Sequence, residues 1–128
     1  MSLLLYENHE FTVFKIADKL DQDNYEEVFA AVQDCIERRK YKIAFDLSQI
    51  NYINSTGLKL FLETVKALKG KAGEKFCLFG LTPAVKNILD KNKITTVIKN
   101  IYLSKDEFEI DVDDSVGDSN QLLDEMND

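Results

Sequence analysis

Two different periods of apolar residues alternate along the first hundred positions of the chain. Runs at 3–7 and 10–17 have the pattern of strands joined by a short polar turn, which predicts a β-hairpin. The second run carries apolar side chains on both faces, as the neighbours Val13 and Phe14 illustrate. We therefore expect this strand to be covered on both sides.

A helical period follows the hairpin after a polar link at 18–24. It is carried by Tyr25, Val28, Phe29, Val32 and Ile36. Asp23 or Asn24 can cap this helix, and the basic residues at 38–40 complement its carboxyl end. A partner-binding patch is the alternative role for those basic residues.

Strands and helices then alternate as far as residue 112. The predicted elements are a strand at 42–47, a helix from Thr56 to Leu68, a strand from Lys75 to Phe79, a helix from Pro83 to Lys91 capped by Thr82, a short strand around Val97–Ile98 and a helix from Lys105 to Val112. The order predicts a single α/β domain at 1–112, with a mixed, mainly parallel sheet, an N-terminal hairpin and helices packed against the sheet.

Charge is distributed unevenly between this domain and the end of the chain. Of the 23 acidic and 16 basic residues, ten acids but only one base lie at 104–128. Residues 113–128 combine Asp, Ser, Gly and Asn with an apolar island of Leu122, Leu123 and Met126. This composition predicts a disordered, self-repelling acidic tail, with docking of the island on the domain as the alternative.

Several classes of function conflict with the composition. The sequence shows no concentrated basic surface, so we expect no direct contact with nucleic acid. No apolar run approaches the roughly 20 residues of a membrane span and no signal segment is recognisable, which predicts a cytoplasmic protein without membrane insertion. Cys35 and Cys77 lack metal-like spacing and are interpreted as free core thiols.

Common catalytic and cofactor motifs are also missing from the sequence. There is no glycine-rich phosphate loop, no G-x-S-x-G elbow and no Cys/His cluster. The sole histidine, His9, lies in the predicted hairpin turn, too remote to activate Ser55 as a nucleophile. We expect neither enzyme activity nor a bound cofactor or metal.

Two adjacent hydroxyls, Ser55 and Thr56, stand where a strand and a polar stretch give way to a helix. Unpaired N–H groups and the positive end of the helix dipole favour a phosphate at such a position. In an arbitrary domain, Ser55 would instead simply cap the helix, with Asn54 forming a local turn.

The stretch YINSTGLKLF at 52–61 resembles the signature of anti-sigma factor antagonists in the STAS domain family (sulfate transporter and anti-sigma factor antagonist). Three further segments resemble that family in the same order: LDQDN at 20–24, DLSQI at 46–50 and LTPAVKNILD at 81–90. The resemblance covers roughly residues 1–110 and implies the α/β fold described above.

The resemblance implies a binding module controlled by phosphorylation. Ser55 matches the family's phosphoacceptor, with Thr56 as a second candidate, and the partner is an anti-sigma factor with serine kinase activity. The unphosphorylated protein captures this partner, phosphorylation releases it, and a phosphatase is implied as well. The implied partner interface is formed by Asp21, Asn54, Ser55, Thr56, Gly57 and Lys59. We expect a monomer or weak dimer.

Three positions depart from the family pattern. Asn54 stands where the family usually has Asp, Asp18 replaces a usual Gly, and 91–93 lack a Gly often found after the third helix. Losing the acid beside the acceptor removes a charge that would help to orient the hydroxyl or a kinase residue. This change and the acidic tail favour the alternative, a non-phosphorylated STAS adaptor or scaffold subunit of a transport or stress-signalling complex.

Overall fold

Five strands form one sheet in the computed structural model, which describes residues 3–112. Their order across the sheet is their order in the chain: β1 (Leu3–Asn8), β2 (Phe11–Leu20), β3 (Lys42–Ile53), β4 (Lys75–Phe79) and β5 (Asn100–Ile101). β1 runs antiparallel to β2, and the remaining neighbouring pairs are parallel. The prediction of a mixed, mainly parallel sheet with an N-terminal hairpin is confirmed.

Helices join the parallel strands and follow the last one. They are α1 (Tyr25–Glu37), α2 (Ser55–Leu68), α3 (Pro83–Lys91) and α4 (residues 105–112), with a 3-10 turn (Ile94–Thr96) after α3. The Thr82 hydroxyl accepts a hydrogen bond from the Val85 N–H at 3.2 Å, and Pro83 occupies the first turn of α3. The predicted cap of α3 is therefore present. The acidic tail predicted at 113–128 lies outside the described residues.

Helices α1, α2 and α3 cover one face of the sheet, and α4 covers the other. On the first face, Phe14 and Phe45 have ring centroids 5.3 Å apart within a core that all three helices share. On the second, Phe108 of α4 stacks on Phe79 at 4.6 Å. Val13 is fully buried among the second group, so adjacent residues of β2 belong to opposite cores. Coverage of β2 on both sides, expected from its pattern, is confirmed.

Two strands extend beyond their predicted ends. β2 continues to Leu20 and β3 to Ile53, because these two residues still pair across the parallel ladder. The β2–β3 register shifts on either side of Asp18, between Lys15 and Ala17 and between Asp18 and Lys19, and interrupts the regular ladder. Both extensions bring their strand ends to the amino terminus of α2.

The last strand lies later in the chain than predicted. The strand expected around Val97–Ile98 is absent there, since the β-branched run forms the 3-10 turn and its exit, and the strand is Asn100–Ile101. The Thr96 hydroxyl donates to the Lys93 carbonyl at 2.7 Å. Such local side-chain bonding competes with an extended ladder.

Two residues in segments where the resemblance implies a glycine have a left-handed backbone. The φ angle is +71° at Asp18 and +55° at Lys93. A residue with a Cβ adopts this region at a cost of roughly 1 kcal/mol, and Asp tolerates it better than most. A glycine would adopt this left-handed conformation without steric cost, which explains the glycines that the resemblance implies. In this chain, Asp18 and Lys93 adopt it instead.

We expect Asp18→Gly to raise the free energy of unfolding by roughly 0.5–1 kcal/mol, because glycine adopts a positive φ without steric cost. Urea unfolding of the two proteins measures the difference. The same change at Ala30, an exposed residue inside α1, should lower the free energy by about 1 kcal/mol. A less stable Asp18→Gly protein would show that the aspartate contributes more than its backbone strain costs.

Candidate functional site

The amino terminus of α2 is capped by Asn54. This residue has an extended backbone, with φ −108° and ψ −172°, and its Oδ1 accepts a hydrogen bond from the Gly57 N–H at 3.1 Å. Ser55 is the first residue of the helix and its side chain is exposed. The expectation that Ser55 would cap the helix, as in an arbitrary domain, is therefore wrong, because the side chain of Asn54 is the cap.

Two backbone donors beside the Ser55 hydroxyl remain without an acceptor. Within residues 3–112, neither the Ser55 nor the Thr56 N–H has a hydrogen-bond partner, whereas the next two amides donate to Asn54. Unbonded N–H groups and the helix dipole give this surface a positive electrostatic potential. An anionic group on the Ser55 oxygen would meet favourable charge there.

The loop after β2 lies directly against this helix end. The Asn54 N–H donates to the Leu20 carbonyl at 3.3 Å, and the Asn54 side-chain amide donates to Gln22 Oε1 at 2.7 Å. Gln22 was not among the residues singled out from the sequence, and its polar side chain in a polar loop gave no signal. Its contact links the LDQDN segment to the capping residue.

Asp21 is buried in the same loop and is used to hold the loop's shape. One carboxylate oxygen accepts from the Asp23 N–H at 2.9 Å, and the other lies 3.4 Å from Lys19 Nζ. The Asp21 carboxylate forms no hydrogen bond with Ser55 in the part of the chain described. Asp21 therefore lies in the loop next to the acceptor, but its charge faces its own loop.

Asn24 precedes α1 without capping it through its side chain. Its Oδ1 accepts from the Asp21 N–H at 3.0 Å and its Nδ2 donates to the Lys19 carbonyl at 2.7 Å. Asn24, one of the two predicted candidates, occupies the N-cap position of α1, but its side chain forms no capping hydrogen bond because it is used in closing the loop, and the Asp23 carboxylate pairs with Lys19 at 2.6 Å. The loop at 19–24 is thus held together by hydrogen bonds and ion pairs among its own residues.

Gly57 is where α2 meets the end of β2. A Cβ on Gly57 would lie 2.3 Å from the Leu20 carbonyl oxygen, far inside van der Waals contact. Gly57 is buried, so it forms the floor of the predicted interface without presenting a side chain to a partner. The glycine of the signature has a packing explanation here.

The exposed rim of the site extends from Ser55 to Lys59 along α2. The Lys59 ammonium lies 6.0 Å from the centre of the Tyr25 ring, which places it between α2 and the first turn of α1. Tyr52, at the end of β3, is 52% exposed and was not singled out from the sequence. Its alternation with the buried Ile53 is the signal that would have identified it.

Other candidate chemistry lies away from this site. Cys35 and Cys77 are free and buried, and burial raises the pKa of the Cys77 thiol to about 12. His9 is exposed in the β1–β2 turn. Within residues 3–112 there is no group of three or more His, Cys, Asp or Glu that could hold a metal ion. A helix long and apolar enough to cross a bilayer is likewise absent from this part of the chain.

Comparison with known proteins identifies a family that matches the chain and several solved structures with a similar fold. A family model described as the STAS domain matches residues 2–108. An anti-sigma factor antagonist from Mycobacterium paratuberculosis superposes with a TM-score of 0.75 at 18% identity, covering 86% of this chain and 92% of that one.

Two further structures widen the comparison. The phosphorylated form of the Bacillus cell fate determinant SpoIIAA superposes with a TM-score of 0.66 at 18% identity, over 86% of this chain and 98% of that chain. A sulfate transporter family protein from Wolinella succinogenes gives a TM-score of 0.73 at 14% identity, over 88% and 92%. At these identities the superpositions establish the fold.

Replacing Gly57 by alanine should lower the free energy of unfolding by roughly 1–3 kcal/mol, because the new methyl group overlaps the Leu20 carbonyl. Alanine forms helix better than glycine by about 1 kcal/mol, so a loss is informative. Urea unfolding measures it, with Thr56→Ala in the same helical turn as the matched control. Equal stability of Gly57→Ala and wild type would contradict the close contact.

Asn54→Asp should leave the stability within a few tenths of a kcal/mol, because both side chains cap helices equally well, whereas Asn54→Ala should lose about 1 kcal/mol. Thermal unfolding of the three proteins distinguishes these outcomes. Gln22→Ala is the control for the second hydrogen bond of Asn54. If Asn54→Asp is as damaging as Asn54→Ala, the bond to Gln22 contributes more than the cap.

Proposed function

The chain belongs to the STAS domain family, and from that membership we propose that it is an anti-sigma factor antagonist whose partner binding is switched by phosphorylation of Ser55. The observation that carries the proposal is the exposed Ser55 side chain at the first position of α2, beside two unbonded amides. Thr56, which is half-buried, is the second candidate acceptor.

The partner in this proposal is an anti-sigma factor that is also a serine kinase. ATP, metal and the catalytic base for the transfer belong to that kinase, and this chain contributes only the hydroxyl. The protein acts in the cytoplasm as a binding module, without enzyme activity of its own, and a phosphatase restores the unphosphorylated state. The names of two relatives support this reading: an anti-sigma factor antagonist and a SpoIIAA structure in the phosphorylated form.

A phosphate on Ser55 should disturb the interface more than the fold. It adds about −1.5 to −2 charges and three strong acceptors, and the unbonded amides of α2 favour that charge. Asp21 adds little repulsion because its carboxylate is engaged with Lys19 and the Asp23 N–H. A partner surface shaped for a neutral hydroxyl, in contrast, would bury a poorly matched dianion, and a loss of roughly 4 kcal/mol is about a thousandfold in affinity.

In the proposed interface, Ser55 and Lys59 present exposed side chains to the partner. The hydrogen-bonded loop at 19–24 lies beside them. Asn54 and Gly57 contribute by fixing the helix end, and Asp21 by fixing the loop. Tyr52 adds an exposed aromatic ring of the kind enriched at protein interfaces.

The second candidate function is a STAS adaptor or scaffold subunit of a transport or stress-signalling complex that is never phosphorylated. Two observations favour it: the fold matches a sulfate transporter family protein as well as antagonists, and Asn54 occupies the position of the usual acid. In this case Ser55 is a surface residue of a permanent interface, and an anti-sigma kinase is not the partner.

We expect Ser55→Asp to abolish capture of a serine kinase from a cytoplasmic extract of the source organism while the thermal midpoint stays nearly unchanged. A pull-down with wild type and variant side by side, read by mass spectrometry, measures the difference. Asn87→Asp adds the same charge at an exposed position on α3 and should capture the kinase normally.

Intact mass after incubation with the captured kinase and ATP separates the two candidate functions. One added phosphate, absent in Ser55→Ala, supports the switch. If the mass is unchanged and Ser55→Asp still binds the captured partner, the phosphorylation switch is contradicted and the adaptor function is supported.

A further inference from the structure

Three lysines belong to α2 and to the loop at 19–24, and they differ in how their charges are used. Lys19 is engaged by two carboxylates of its own loop, at 2.6 and 3.4 Å. Lys66 lies 4.0 Å from the Glu63 carboxylate. Lys59 is exposed and has no ion-pair partner among residues 3–112. Lys59 is therefore the lysine of this surface whose charge is still available.

The helical spacing places Lys59 over Ser55. Ser55 begins α2 and Lys59 follows four residues later, with both side chains exposed. Side chains at this spacing are neighbours on one helix face, with Cβ atoms about 5–6 Å apart. Helical side chains also lean toward the amino terminus, which directs the long Lys59 stem back to Ser55. The position of its ammonium beside Tyr25, the residue that follows the loop, agrees with this direction.

The present contact of Lys59 with Tyr25 is a weak one. Its ammonium lies 6.0 Å from the ring centre, at the outer limit of the range in which an aromatic face attracts a cation. A phosphoserine would carry about −1.5 to −2 charges and three strong acceptor oxygens. Charge-assisted hydrogen bonds to such a group are stronger than those between neutral groups. A phosphate on Ser55 would therefore compete with the Tyr25 ring for Lys59.

The acidic side chains near Lys59 leave it free for this role. Glu63 lies one turn further along α2, but its nearest cation is Lys66. Glu26 and Glu27, in the first turn of α1 next to Tyr25, form no ion pair with Lys59 either. The two carboxylates of the loop at 19–24 are engaged within the loop.

We propose that Lys59 is the counter-ion of phosphorylated Ser55: its ammonium leaves the Tyr25 ring and pairs with the phosphate, beside the unbonded N–H groups of Ser55 and Thr56. This inference rests on the proposed phosphorylation of Ser55 and adds a positioning residue to it. The pair holds the phosphate along the surface of α2. Phosphorylation then changes the interface at two points, because the hydroxyl is covered and the exposed cation beside Tyr25 is withdrawn.

Phosphorus NMR tests the pair in protein that carries phosphoserine inserted at position 55 during translation. A pH titration gives the second pKa of the phosphate in wild type, Lys59→Met and Lys59→Arg. A nearby cation favours the dianion, so this pKa should be lower in wild type than in Lys59→Met by about 0.3–0.5 unit. Lys59→Arg should keep the low value because it restores the charge. Salt at about 1 M should shrink the difference.

Lys66→Met is the matched control. It removes the same charge from an exposed position of the same helix, ~16 Å further along the axis, and should leave the phosphate pKa unchanged. Equal pKa values in wild type and Lys59→Met would overturn the proposal, as would an equal rise in Lys66→Met. Because the phosphoserine is encoded, these outcomes concern Lys59 alone, whereas failure of a kinase to phosphorylate Ser55 counts against the proposed function.

Discussion

The backbone of β2 and the first turn of α2 meet without any side chain between them. The Leu20 carbonyl accepts the Asn54 N–H and lies so close to Gly57 that no Cβ fits. Because backbone atoms fix this contact, the loop at 19–24 cannot shift relative to the helix without breaking it. The hydrogen bond from Asn54 to Gln22 and the network around Asp21 both build on that fixed distance. The contacts that shape this surface are therefore all formed within the domain, without a partner.

Elsewhere in the domain, β2 contributes side chains to two hydrophobic cores, one on each face of the sheet. Phe14 packs beneath the helices of one face, and Phe11 meets the edge of Phe108 at 5.3 Å on the other. Polar contacts hold α4 over the second core from both sides: Asn8 donates to Glu109 at 2.9 Å, and Tyr102 donates to Asp111. Burial, followed by that hydrogen bond, raises the pKa of the Tyr102 phenol, so the donor stays protonated.

Much of this could be predicted from the sequence because local patterns and tertiary structure agree. The apolar residues on both faces of β2, the Thr82–Pro83 helix start and the strand at Lys75–Phe79 each follow from nearby residues. The misplaced strand at Val97–Ile98 shows the limit of propensity, since burial of Ile94 and Ile98 in a tight turn outweighed the β-branched preference. The cap at Asn54, and not Ser55, depended on where β3 ended. The Gln22 contact joins residues 32 positions apart, which no local pattern reveals.

The sandwiching of β2 also has a consequence for how the protein is made. Phe11 is synthesised well before the ring that covers it, which belongs to Phe108, 97 positions later in the chain. At a synthesis rate of 5–20 residues per second, the nascent hairpin would expose the apolar side chains of its second face to solvent for roughly 5–20 s before α4 is synthesised. Glu7 at the end of β1 and Glu10 in the following turn lie next to this strand, so the apolar segment that is covered late is bordered by charges that oppose association.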